Sequence, residues 1–209
     1  MRRMSSKRTY LTILTIYNFS INYIMWKYIA SFVVIYILLL FILPKRYYFF
    51  LPTIPIYPNN EEESKEVERL SKTQSYDDKQ FFELTDPSII HAFKNSVDET
   101  VDELDYIIKR PSLIIFTLYL KGLFNRARPY SINENIKPLE SNTDNTPSYP
   151  AGHAIQAYCL ANVLGKKYPE KKEMLGKIAE KCDKVRVKAG IHYPSDGEIA
   201  KKIADYLYA

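Results

Sequence analysis

Acidic side chains are missing from the first part of this chain. Up to Arg46 there are seven basic groups (Arg2, Arg3, Lys7, Arg8, Lys27, Lys45, Arg46) and no aspartate or glutamate. The remaining residues hold 22 basic groups and all 24 acidic ones, so the formal charge of +5 belongs to the N-terminal segment and the rest is near −2. A slightly acidic body excludes the basic footprint that nucleic-acid binding needs. Cysteine is scarce as well: Cys159 and Cys182 sit in apolar helical patterns, which reads as buried free thiols rather than a disulfide. Sustained strand alternation and internal repeats are both lacking, so the expected fold class is all-α. Outside His153, His192 and Asp196, no histidine, cysteine or carboxylate cluster has the spacing of metal ligands. No metal or other cofactor is expected.

What the N-terminal segment does have is the longest apolar run. From Ile24 to Leu43 only Lys27 is charged, and about 20 apolar residues rising 1.5 Å each span a bilayer core. Leu43-Pro44-Lys45 offers no small-residue cleavage site, so the run reads as an uncleaved transmembrane anchor rather than a signal peptide. The basic residues before Tyr10 bias the N-terminus to the cytoplasm, which puts the body on the extracytoplasmic or lumenal side of a single-pass topology. Residues 44–60, with Pro44, Pro52, Pro55 and Pro58, read as an extended linker. This leaves 1–43 as the anchor segment and 61–209 as a helical domain.

Within that domain, Asn60 is expected to cap an acidic first turn and Asp86-Pro87 to open a helix. The very apolar stretch from Leu113 to Phe124 is expected at the centre of a bundle. Helices resume at Gly152 and at Pro169, and Ser195-x-x-Glu198 has the spacing of a capping box for the last one. The segment from Asn125 to Tyr149 has no periodicity, and loops of that length usually shape a site.

Three clusters carry chemistry. Lys121 to Pro129 places a lysine at the end of the most apolar helix, where a buried ammonium either snorkels to water or serves an anion. Pro147 to His153 puts a histidine in the first turn of a helix, and helix N-termini with free N–H groups attract phosphate. In Val185 to Asp196, Asp196 stands four residues after His192. There it can accept the imidazole Nδ1–H and leave Nε2 as nucleophile or base, or the two can form an ordinary i,i+4 surface pair. His91, on a helical pattern after Ile89 and Ile90, reads as structural.

Together and in this order, the clusters resemble the signature of the type 2 phosphatidic acid phosphatase superfamily, which includes bacterial class A acid phosphatases and vanadium haloperoxidases. The resemblance rests on Lys121, Arg128, Pro129, Pro150, Gly152, His153, Arg186, His192 and Asp196 and covers the stretch between Lys121 and Asp196. It implies a helical bundle of the acid phosphatase/vanadium haloperoxidase type and metal-independent hydrolysis through a phosphohistidine. Carried over, it makes Lys121, Arg128 and Arg186 a phosphate clamp, aided by backbone N–H groups at Gly152 and Ala151. His192 becomes the nucleophile, Asp196 its orienting partner, and His153 a general acid that starts protonated. Ala151 stands where the family commonly has serine, as does Val185.

Ser-Tyr-Pro before the glycine-histidine pair looks more like the class A acid phosphatases, so the implied substrates are phosphate monoesters of small molecules. Lipid phosphates or polyprenyl diphosphates in the same membrane are the alternative, and a tethered binding protein with a dead site is the reading from another class.

Overall fold

The computed structural model describes residues 25–35 and 56–208. The chain divides into two compact units, Met1–Pro44 and Lys45–Ala209. In the first, residues 25–35 are helical. Among the described residues no helix is long and apolar enough to cross a membrane. The rest of the expected anchor, Ile24 and 36–43, lies outside the described residues, as does most of the proline-rich linker.

The described part of the second unit is all-helical. Nine α-helices follow in order: α1 Asn60–Ser71, α2 Tyr76–Thr85, α3 Ile90–Phe93, α4 Val101–Ile108, α5 Pro111–Phe124, α6 Pro129–Ile132, α7 Gly152–Lys167, α8 Lys172–Lys188 and α9 Pro194–Leu207. A single 3₁₀ turn, Pro169–Lys171, leads into α8.

The helix starts differ from expectation in ways that matter for the site. Asn59, not Asn60, caps α1, accepting the N–H groups of Glu61 and Glu62. Asp86 ends α2 instead of opening a helix, and its side chain is thereby free for other work. The Ser195/Glu198 capping box does not form. The last helix begins two residues earlier, and Asp196 at its N3 position reaches back to the Tyr193 N–H at 2.9 Å.

The central helix is α7, not α5. Nine of its residues are buried, from Ala154 to Gly165, and it packs most extensively against α8 and then α9. Its alanines and glycines let neighbours approach closely, so moderate hydrophobicity is enough for full burial. In the far more apolar α5 only Leu113 and Lys121 are buried, while Ile115, Leu118, Tyr119 and Leu123 are about half exposed or more. Cys159 and Cys182 are free and buried in the core between α7 and α8.

Two backbone turns aim the chemistry. Asn125 ends α5 in the left-handed region, at φ 45°, which asparagine tolerates, and the chain doubles back to bury Arg126 and Arg128. Gly190 ends the α8 region at φ 77°, and a Cβ there would come within 2.7 Å of Ile136. That glycine turn delivers Ile191 and His192 into the core just before α9.

Candidate active site

A cavity of about 250 Å³ opens between α5, the loop after α6 and the start of α7, and its walls include Lys121, Arg128, Gly152, His153 and His192. Leu113, Ile114, Thr117 and Leu118 supply its apolar side. Arg186, Asp196 and Ala151 are buried behind this wall rather than on it. His91 is on α3, outside the lining.

His192 is 2% exposed. Its Nδ1 lies 3.1 Å from Asp196 Oδ2, and its Nε2 lies 3.1 Å from Arg128 Nη1. A guanidinium can only donate, so Nε2 is the acceptor and the ring proton sits on Nδ1, shared with the carboxylate. Burial holds the imidazole well below its ordinary pKa, and the charges of Arg128, Lys121 and Arg186 push in the same direction. This is the neutral tautomer that a nitrogen nucleophile requires.

Burial raises the carboxyl of Asp196, and Arg126 and the Tyr193 N–H oppose that. Every partner at its two oxygens is a donor: Arg126 Nη1 at 2.7 Å on Oδ1, and Tyr193 N–H and His192 Nδ1 on Oδ2. Asp196 is therefore a carboxylate that orients His192.

The cations are held by the loop that the sequence left without pattern. Lys121 Nζ donates to the Pro147 carbonyl, and Arg128 donates to the carbonyls of Thr146 at 3.0 Å and Ile191 at 2.7 Å. Lys121 does not snorkel: it is 6% exposed. Its pKa falls well below the ordinary lysine value, chiefly through burial and then through Arg128.

Arg186 pairs with Asp86 at 2.8 Å and donates to the Thr143 hydroxyl at 3.0 Å. Its Nε and Nη1 are buried and have no hydrogen-bond partner among the described residues. Unsatisfied buried donors on a cation are costly.

His153 differs from expectation. Its Nε2 lies 3.0 Å from the Asp86 carbonyl oxygen, so that nitrogen carries the proton. Burial, with Arg186 beside it, lowers its pKa to about 3. The imidazole is therefore neutral here, where the resemblance implies a ring that starts protonated.

Ala151 also departs. Its N–H donates to the Asp196 carbonyl at 3.1 Å, and its side chain is part of the main core, so neither can reach a phosphate. The first-turn N–H groups of Gly152 and His153 have no intrahelical acceptor and remain the donors at this helix end. A Cβ on Gly152 would make only ordinary contacts with Thr117 and Lys121, at 3.6 and 3.7 Å.

No protein-family profile matches the chain, and a search of curated proteins finds no match. Among solved structures it is similar to a transmembrane PAP2-type phosphatidylglycerolphosphate phosphatase from Bacillus subtilis, at 20% identity and a TM-score of 0.48. The similarity covers 86% of this chain and 91% of that one. In its residues the chain resembles the type 2 phosphatidic acid phosphatase superfamily.

Sequence reasoning overlooked three residues that complete the arrangement. Asp86 holds Arg186 through its side chain and His153 through its carbonyl. Arg126 stands two residues before Arg128 and reaches the far side of Asp196. Glu63 of α1 accepts from Arg126 at 2.6 Å. A second arginine beside the motif arginine was a visible signal; Asp86 and Glu63 gave none, because their partners are far away along the chain.

Proposed function

We propose that the chain is a metal-independent phosphatase of lipid phosphates that works through a phosphohistidine. The observation that carries the lipid reading is the shared wall of α5. Leu113, Ile114 and Leu118 line the cavity, and the same helix continues outward into the exposed face of Ile115, Tyr119 and Leu123. A phosphate held by the cations would lay an attached apolar chain along this helix. An exposed apolar strip of this kind gains nothing from water and is stabilised by acyl chains. In this reading the apolar run at 24–43 holds the body at the bilayer, with the catalytic unit extracytoplasmic or lumenal.

The steps follow from the hydrogen bonds. An incoming phosphate takes the Nη1–H of Arg128, which releases the lone pair on His192 Nε2. Arg186 Nε and Nη1, Lys121 and the Gly152 N–H offset the charge on the equatorial oxygens. Nε2 then bonds to phosphorus in line while the P–O ester bond breaks, its electron pair leaving with the alcohol oxygen. Because the Asp86 carbonyl engages His153 Nε2–H, the bare Nδ1 takes the proton that the phosphate monoanion brings and passes it to this oxygen. The same Nδ1 then takes a proton from the water that attacks phosphorus. The N–P bond breaks, its pair returns to Nε2, and inorganic phosphate departs with the proton held on His153 Nδ1, which leaves that ring neutral again.

The test is hydrolysis of phosphatidic acid in detergent micelles beside a soluble aryl phosphate, by the full chain and by His192→Ala. The expected result is a preference for phosphatidic acid that resists chelators, is blocked by vanadate and is lost in the variant. Equal rates for the two proteins would overturn the histidine mechanism, and a preference for the soluble ester would overturn the lipid reading.

A further inference from the structure

Arg126 belongs to no part of the phosphate clamp, yet it is among the largest fully buried side chains of the molecule. It does not line the cavity. Nη1 donates to Asp196 Oδ1 and to the Ser195 hydroxyl, each at 2.7 Å. Nη2 donates to Glu63 at 2.6 Å and Nε to Asn60 at 2.9 Å. The guanidinium carbon sits 3.7 Å from the Tyr193 ring centre and 4.5 Å from that of Tyr57. Glu63 in turn accepts the N–H and hydroxyl of Ser195, at 2.8 and 2.7 Å. A planar cation whose three nitrogens each donate to a different carboxylate or amide is held against rotation.

We propose that Arg126 is a positioning residue for the phosphohistidine chemistry: it pins the Asp196 oxygen that His192 does not use, so that Oδ2 keeps the Nδ1 proton and Nε2 stays open to phosphorus. The inference rests on the reading of the site given above. The two carboxylate oxygens divide the work. Oδ1 is neutralised by Arg126, and Oδ2 is left for the Tyr193 N–H and His192.

Without that cation, a buried carboxylate faces the imidazole uncompensated, and the Asp196–His192 pair takes up a proton more readily. An imidazolium has no lone pair to give. The other groups around the pair are common to wild type and variants: Lys121, Arg128, Arg186 and His153 face His192. Asp183 faces Asp196 from α8, and Glu63 with the Tyr149 and Tyr193 hydroxyls lies on the Arg126 side. Asp183 and His153 titrate in every protein compared, so the effect of removing Arg126 is read as the difference between wild type and variant.

The experiment uses full-length protein in detergent, with histidines labelled for NMR, comparing wild type, Arg126→Met, Arg126→Gln and Arg126→Lys. The His192 ring is titrated without substrate, and kcat and KM are measured against pH on phosphatidic acid. Removing the charge is expected to move His192 protonation upward by roughly one pH unit or more, with the acid limb of kcat following and KM nearly unchanged. Arg126→Lys should keep the titration midpoint. Arg126→Gln retains a donor for Asp196 and is read if Arg126→Met does not fold. A His192 titration in Arg126→Gln identical to wild type, whatever its melting temperature, overturns the proposal. Because the titration is read on the resting protein, it decides this point even if no phosphate ester tried is hydrolysed.

Discussion

The Asp183 carboxyl lies flat against the Cα of Gly197, so close that a Cβ on the glycine would overlap both carboxyl oxygens. Gly197 follows the orienting aspartate directly in α9, and Asp183 sits one turn before Arg186 in α8. This contact sets how near the two helices approach at the level of the site. Gly197→Ala is therefore expected to destabilise the body by about 1–3 kcal/mol, the usual cost of overpacking. Urea denaturation checks it, and a change within ±0.5 kcal/mol would mean the helices separate freely here.

Asp183 predicts a pH dependence of stability. Burial raises its pKa to about 7, with only the Tyr158 hydroxyl and Lys184 opposing. The folded chain thus holds a proton that the unfolded chain, near the ordinary 3.8, has already lost. Stability should fall as pH rises from about 4 to about 7 on account of this group and level off above that. Asp183→Asn keeps an acceptor for Tyr158 and removes the charge. It should raise the melting temperature at pH 8 and leave it nearly unchanged at pH 4.

His153 works in the opposite sense. Its pKa is lowered from 6.5 to about 3, so the neutral ring stabilises the fold above pH 6.5, and that contribution is lost progressively as pH falls toward 3. Its catalytic counterpart concerns the substrate. With a neutral His153 in the resting site, the proton must come with the phosphate monoanion, whose second pKa is about 6. The expectation is that kcat/KM declines above about pH 6, and a rate constant flat from pH 5 to 9 would rule this out.

Arg186 should be the most sensitive anion contact, because its Nε and Nη1 are buried without partners among the described residues. Vanadate and inorganic phosphate are expected to raise the melting temperature of the wild type. In Arg186→Gln their affinity should fall about tenfold or more, in line with about 1.5–3 kcal/mol for a hydrogen bond to a charged group. Calorimetric titration measures this directly.

The face of α5 yields a prediction separable from catalysis. Ile115 and Leu123 are 66% and 48% exposed and do not line the cavity. Ile115→Glu with Leu123→Glu should lower activity on phosphatidic acid in vesicles severalfold and leave hydrolysis of a soluble ester unchanged. Equal losses on both substrates would remove the apolar strip from any role in lipid handling.

The sequence alone determined the helical class and the candidate site residues, because residue identity, order and periodicity are local properties. Lys121, Arg128, Gly152, His153 and His192 could be named through the family resemblance, and they line one cavity. Helix starts were legible only to within a residue or two, since neighbouring side chains such as Asn59 and Asn60 compete for the same cap. Only the tertiary structure decided that α7 is central and α5 lies at the surface. Hydrophobicity says that a face leaves water, not what it meets. Tertiary contacts alone also tied the Ala151 N–H to Asp196, joined Asp86 to Arg186 across 100 residues and placed Arg126 behind the orienting aspartate. Each of these pairings is long-range, and a buried charge takes whichever partner the fold brings within reach.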